Sequence, residues 1–262
     1  MRRGIGTRRG DRTELPGLWL ALLAVGLVAP LVPLGPLGPA VQAVPGTAAA
    51  RPAMRAVAPR LPARAVVLSD VVAAPGRTVA LTFDDGPHPR WTRKILAVLR
   101  RSGAVATFCM IADKVPGHED VVREVVDSGM RLCDHTRTHA ELTTLPDTVV
   151  ADEVTGAQAS LAAAAGGAPV GYFRAPEGRS TPHVLDLAAT HGMQPLGWSI
   201  DPDDWRRPGV AAIVEQVRRQ VRPGAVILLH DGGGPRDQTV AALGQLLPWL
   251  VEQGYRFGFP SP

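Results

Sequence analysis

The stretch that decides the fold reads Thr78-Val79-Ala80-Leu81-Thr82-Phe83-Asp84-Asp85-Gly86-Pro87. Residues 79–83 have the length and the β-branched and aromatic content of a strand, and the run stops abruptly on two carboxylates followed by a turn pair. Adjacent strand residues point to opposite faces. A turn at Gly86-Pro87 breaks that alternation and lets Asp84 and Asp85 serve one site in two roles. The plainer alternative is an Asp-Gly turn whose carboxylates cap the following helix.

Outward from this stretch the pattern repeats. Apolar runs recur at 106–111, 130–133, 170–173, 194–200, 225–229 and 255–259. Between them, 91–101, 120–128, 148–165, 182–191, 210–221 and 239–252 carry apolar residues at helical spacing, as in Ile95, Val98 and Leu99. Strands alternating with helices predict a parallel α/β sheet or barrel and exclude an antiparallel sandwich. The span is short for an eight-strand barrel, which usually takes about 250 residues.

Ionisable residues gather at the same chain-direction end of these strands: Asp84-Asp85, Asp134-His135 with His139, Arg174, Asp201 with Asp204 and Trp205, and His230-Asp231. In parallel α/β folds that end is where sites assemble. Asp at strand ends is also ordinary turn chemistry, but two histidines and an arginine at the same rim are not.

Charge and composition narrow the function. The chain of 262 residues carries 28 Lys+Arg against 24 Asp+Glu. Residues 1–65 hold nine Arg against Asp11 and Glu14, so the remainder is slightly acidic. The basic excess therefore belongs to the N-terminus, and with 5% aromatics the body offers no nucleic-acid surface. Arg2, Arg3, Arg8, Arg9 and Arg12 precede an apolar run at 18–29, which Pro30, Pro33, Pro36 and Pro39 interrupt. Val41-Gln42-Ala43 suits secretory cleavage before Val44. Residues 1–43 are thus expected to be a signal peptide, or a membrane anchor if uncleaved, and 44–76 an Ala/Pro/Arg-rich linker. The catalytic domain is expected over 77–262. The product is expected to be secreted or cell-wall associated, and monomeric. Cys109 and Cys133 fall in strands expected to be neighbours and form either one disulfide or two buried thiols.

His135 and His139, four apart after a strand, can aim both imidazoles at one point, and a carboxylate from Asp84-Asp85 completes a three-ligand site for a metal that activates water. Surface histidines are the plainer reading of that spacing alone. Taken together, five stretches resemble the polysaccharide deacetylases with a NodB homology domain, carbohydrate esterase family four. They are Thr82-Phe83-Asp84-Asp85-Gly86-Pro87, His135-Thr136-Arg137-Thr138-His139, Arg174-Ala175-Pro176-Glu177-Gly178, Asp201-Pro202-Asp203-Asp204-Trp205 and Leu228-Leu229-His230-Asp231, in order across residues 78–259.

The resemblance implies a distorted (β/α) barrel of about seven parallel strands in a single catalytic domain. It implies that Asp85, His135 and His139 bind a divalent metal, commonly Zn²⁺ with Co²⁺ or another ion as alternatives. Asp84 is then the base, His230 the acid, Arg174 the partner of Asp84 and Asp204 the partner of His230. Trp205, Pro176 and Glu177 line the substrate groove. Trp205 in the core, Asp204 as a cap and Arg174 in a plain strand-end ion pair are the competing readings. The family often has an aromatic residue or Gly where this chain has Glu177, which bears on the binding of acidic glycans. The implied substrate is an acetylated glycan such as peptidoglycan or a chitin oligomer. An acetylxylan O-deacetylase, a non-glycan amidase and a silent glycan-binding wall protein are the alternatives.

Overall fold

The computed structural model describes Val72 and residues 76–261; the expected leader, its cleavage site and nearly all of the linker lie outside the described residues. Among the described residues no helix is long and apolar enough to cross a membrane.

Seven strands form one sheet: β1 (Thr78–Gly86), β2 (Ala106–Met110), β3 (Arg131–Asp134), β4 (Val170–Phe173), β5 (Gln194–Pro195), β6 (Val226–His230) and β7 (Arg256–Gly258). The order is β5-β4-β3-β2-β1-β6, with β7 on the start of β1, and every pairing is parallel. Ile200, just beyond β5, bridges Ile227 of β6, so the two edges of the curled sheet meet. This is the distorted (β/α) barrel expected from the motifs, in a single catalytic domain.

Period-two alternation divides β1. Val79, Leu81 and Phe83 pack outward in the main core with helical residues such as Ile95, Leu99 and Leu243. Ala80 faces inward, clustered with Cys109, Cys133, Tyr172, Leu196 and Val226. The helices cover the outer face: α1 (Trp91–Arg101), α2 (Glu119–Asp127), α3 (Asp147–Ala151), α4 (Ala157–Ala164), α5 (Pro182–Thr190), α6 (Val210–Gln220) and α7 (Asp237–Glu252). In α1, Trp91, Thr92, Ile95, Leu96, Val98 and Leu99 are buried, while Arg100 and Arg101 close the last turn, where the helix dipole favours cations. In α5, the Thr181 hydroxyl accepts from the Val184 N–H at 3.3 Å and Pro182 fills the first turn, where its missing N–H costs nothing.

Two expectations change in detail. The helix expected over 148–165 is interrupted: Asp152–Gly156 is a π-helical turn between α3 and α4. The strand expected over 194–200 keeps only Gln194–Pro195 in the ladder, because the chain leaves β4 at Gly197 and touches the sheet again at Ile200. Cys109 and Cys133 are register partners on β2 and β3 and are joined as a disulfide. The strand order that makes them neighbours decides between the two readings.

Candidate active site

The strand ends open into a cleft of about 560 Å³ whose walls include Asp84, Asp85, His135, His139, Glu177, Trp205 and His230. Asp85 has φ 72, and the β1–β2 register shifts between Asp84 and Gly86. Such a bulge re-aims a side chain. The break in alternation thus falls at Asp85 itself, one residue before the Gly-Pro turn. Consecutive carboxylates consequently reach one imidazole: His135 Nε2 lies 3.7 Å from Asp84 Oδ2 and 3.7 Å from Asp85 Oδ1. The bulge depends on glycine around it. A Cβ on Gly86 would stand 2.4 Å from Asp231 Oδ2, and one on Gly233 (φ 70) would stand 2.3 Å from Asp85 Oδ2.

His135 is buried just beyond β3, and its Nδ1 donates to the Arg174 carbonyl at 2.7 Å. That bond fixes the tautomer and turns the Nε2 lone pair toward the cleft. His139 Nε2 lies 3.4 Å from Asp85 Oδ1. The ligand atoms of Asp85, His135 and His139 all fall within 4.8 Å of one another. Tetrahedral ligands about 2.1 Å from an ion lie roughly 3.4 Å apart. The separations of the two imidazoles from Asp85 Oδ1, 3.7 and 3.4 Å, are near ligand spacing, so the three residues fit a metal ion. Burial pushes the Asp85 carboxyl up, but the imidazoles of His135, His230 and His139 and the Lys114 ammonium outweigh it and hold it below its ordinary range. Burial lowers His135 despite Asp84 and Asp85 beside it. Both shifts favour the deprotonated, ligating forms.

The loop from Asp134 to His139 is tightly tied. Asp134 Oδ1 accepts from the Thr136 N–H at 2.7 Å, and Thr136 Oγ1 accepts from the His139 N–H at 3.0 Å. Thr136 and His139 both sit at φ 66, uncommon for residues with side chains. Burial holds the Asp134 carboxyl well above its ordinary range, and its Oδ2 has no partner.

Arg174 is 1% exposed and makes four bonds: Nη1 donates to Asp84 Oδ1 at 2.6 Å and to Thr82 Oγ1 at 3.0 Å, Nη2 to the Gly197 carbonyl at 2.8 Å, and Nε to the Leu196 carbonyl at 3.4 Å. The guanidinium is thus a bolt between β1, β4 and the chain after β5. Asp84 Oδ1 is engaged, and Oδ2 faces the cleft residue His135.

On the opposite wall, His230 ends β6. Its Nδ1 bonds Asp204 Oδ1 at 2.7 Å, and its N–H donates to Asp204 Oδ2 at 3.0 Å. The Thr239 hydroxyl donates to Asp204 Oδ2 at 2.6 Å. Burial alone would lower His230; the Asp204 hydrogen bond and charge outweigh it and raise the imidazole above its ordinary value. Nε2 is the ring nitrogen left to act. Asp204 is fully buried and Arg174 nearly so, and each stands behind the residue it was expected to support.

Trp205 is 46% exposed, which removes the core-packing reading, and the Arg206 guanidinium lies 4.4 Å over its ring centroid. Glu177 adopts φ 55 in the 3₁₀ turn Pro176–Gly178 and is exposed on the cleft rim, with Arg179 Nε 3.4 Å away. Pro176 is buried at the start of that turn and is absent from the cleft wall; it shapes the turn that presents Glu177. The sequence reading missed Trp198, Leu228 and Arg236 on the cleft wall, and Thr239 behind Asp204. The Leu228-Leu229-His230 run alone carried a signal, because period two puts Leu228 on the face of His230.

The polysaccharide deacetylase family model matches residues 72–196. A chitooligosaccharide deacetylase of Bradyrhizobium sp. (strain ANU 289) is 40% identical over 190 residues, covering 68% of this chain and 87% of that one. A peptidoglycan-N-acetylglucosamine deacetylase of Bacillus cereus is 38% identical over 183 residues, covering 69% and 85%. The solved structure of a family 4 carbohydrate esterase from Streptomyces lividans, in complex with acetate, superposes with a TM-score of 0.65 at 34% identity, covering 71% and 93%. On these matches the chain belongs to the polysaccharide deacetylases of carbohydrate esterase family four and is a hydrolase of carbon–nitrogen bonds other than peptide bonds.

Proposed function

We propose that the protein is a secreted, metal-dependent deacetylase that removes N-acetyl groups from N-acetylglucosamine-containing glycans. The observation that carries this reading is the meeting of Asp84, Asp85, His135, His139 and His230 in one cleft, with Arg174 and Asp204 bonded behind the base and the acid. A pure binding protein has no use for that set.

Asp85, His135 and His139 would hold the ion, and the nitrogen-and-oxygen ligand set suits Zn²⁺, with Co²⁺ able to replace it. When bound, such an ion supplies a polarised water and a Lewis-acid pull on the acyl oxygen. Asp84 Oδ2 takes the proton of the attacking water, while its Oδ1 is kept on Arg174 so that the carboxylate cannot rotate away. A backbone N–H at Glu177 adds a donor to the oxyanion. Asp204 favours the imidazolium of His230, which suits the ring to deliver its Nε2 proton to the departing amine. Trp205 walls the groove on the exposed side. The products are acetate and a free glucosamine amine.

The relatives' names favour chitin-type and peptidoglycan substrates alike. The carboxylates of Glu177 and Asp201 on the cleft wall favour neutral chitin oligomers over glycans with free acidic groups. Export is supported by the leader pattern at 1–43 and by the Cys109–Cys133 disulfide, which suits an oxidising compartment. The direct test is acetate release from chitooligosaccharides and from peptidoglycan fragments, with chelator and with His135→Ala as controls. No acetate from any acetylated glycan in the presence of Zn²⁺ overturns the reading.

A further inference from the structure

Residues 136–139 carry one of the two histidine ligands and two positive φ values; Asp134 and Thr136 tie the residues at 136 and 139, while Arg137 and Thr138 between them are held from outside the loop. The π-helical turn Asp152–Gly156 supplies that hold. Its consecutive residues Glu153 and Val154 are both buried, at 6% and 0% exposed. Val154 joins the hydrophobic core. Glu153 instead meets the ligand loop. Its Oε2 accepts from the Thr138 N–H at 2.9 Å, and its Oε1 accepts from the Thr138 hydroxyl at 2.9 Å. Its own carbonyl accepts from the Arg137 N–H at 2.9 Å. Asp152, one residue earlier, holds the Arg137 guanidinium at 2.6 Å.

Two consecutive loop residues are therefore gripped from one turn of a helix, immediately before His139. Burying a carboxylate is unfavourable unless its oxygens are filled, and here both are filled by the single residue Thr138. Short π-turns inside helices recur at functional sites, and this one carries the carboxylate that meets the ligand loop.

We propose that Glu153 is a positioning residue that fixes the His139 ligand through Thr138, and so sets how tightly the protein holds its metal ion. This rests on the metal-site reading above. Groups behind metal ligands typically change affinity by about 10- to 100-fold when removed. The effect should be expressed as faster loss of the ion, because His139, with 34% of its side chain exposed, is the less enclosed histidine.

The test is the dissociation constant for Zn²⁺ and for Co²⁺ in the full chain, measured by competition with a chromogenic chelator. Melting of the metal-free protein is recorded alongside. Glu153→Ala is expected to weaken metal binding by about 10- to 100-fold. Glu153→Gln keeps an acceptor for the Thr138 N–H and a donor for its hydroxyl, and is expected to restore most of the affinity. Thr138→Val removes one of the two bonds and is expected to lose about 3- to 10-fold. The visible absorption of the Co²⁺ form should change in Glu153→Ala as His139 leaves the ion, a change that a merely structural residue would not cause. Glu153→Ala with wild-type affinity and an unchanged Co²⁺ spectrum overturns the proposal. If that variant does not fold, wild-type affinity in Thr138→Val overturns it instead. A wild-type protein that binds no divalent ion overturns the metal-site reading and this proposal with it. Tight binding by wild type and Glu153→Ala alike overturns the proposal alone.

Discussion

Asp204→Asn isolates the acid half of the chemistry. The substitution keeps the size of a fully buried side chain and removes only its charge. Asp204 accepts three hydrogen bonds, two of them from His230, and the 2.7 Å bond to Nδ1 is charge-assisted whenever the imidazole is protonated. A bond to a charged group contributes about 1.5–3 kcal/mol, and one pKa unit corresponds to about 1.4 kcal/mol. Loss of the charge should therefore lower the His230 pKa by about one to two units. His230 works protonated, so the alkaline limb of the kcat profile should move down by the same amount. Above the wild-type pKa the rate should fall about 10- to 100-fold, and the loss should shrink in acid, where both proteins carry the proton. The assay is acetate release from a chitooligosaccharide at saturating metal from pH 5 to 10, paired with an NMR titration of the His230 ring. Stability should move in the matching direction. A histidine with a raised folded pKa adds stability that is complete below its ordinary value and is lost as pH rises through the folded one. The variant should lack that increment at acid pH. An alkaline limb in the same place, or a loss confined to KM, would refute the assignment of His230 as acid and Asp204 as its partner.

Three further outcomes are expected. Arg174→Lys leaves the Leu196 and Gly197 carbonyls without donors and frees the Asp84 carboxylate; stability should fall by about 2–4 kcal/mol in urea titrations, and kcat should fall with little change in KM. Asp231, pushed up by burial to about 7 from 3.8, holds a proton that the unfolded chain releases. The metal-free protein should therefore lose stability as pH rises from about 4 to 7, by up to about 4 kcal/mol, and Asp231→Asn should flatten that slope in urea melts taken across the range. Cys109→Ala with Cys133→Ala opens the barrel interior beneath the site; the doubly substituted chain should unfold at lower denaturant than the oxidised wild type and at similar denaturant to the reduced one.

Much of this was written in the sequence. The strands showed as short apolar runs because both of their faces are covered, and their polar ends showed because carboxylates and histidines are conspicuous beside Val226–Leu229 or Leu132-Cys133. The features that escaped are those where local propensity and tertiary contact disagree. Residues 148–165 read as one helix, because an Ala-rich segment has no local reason to widen a turn. The π-turn exists for what Glu153 and Val154 meet on the other side. Strand β5 read long because Leu196, Trp198 and Ile200 are apolar, but only Leu196 still bonds β4, while Trp198 lies against Arg174 and Ile200 bridges β6. Asp85 read as half of an Asp-Asp pair; its positive φ is imposed by Gly232 and Gly233 packing nearly 150 residues downstream. Arg236 gave no signal because one arginine among many has none until the barrel closes around it.

The meeting of Ile200 with Ile227 divides the catalytic machinery by mechanical strength. Asp84, Asp85 and the two ligand histidines hang from β1, β2 and β3, which share long parallel ladders. Asp201, Asp204 and Trp205 hang from a stretch that meets β6 in a single ladder bridge, with a few hydrogen bonds at Ser199, Ile200 and Asp204, and is reached through a two-residue strand. Opening that junction would widen the cleft without disturbing the metal ligands. Amide exchange should thus be fastest at Ser199, Ile200 and Leu228 and slowest along β1. The base, the metal ligands and the acid thus share one rigid frame, with His230 in register beside Asp84, and only the acid's partner Asp204 and the wall residue Trp205 ride on the seam.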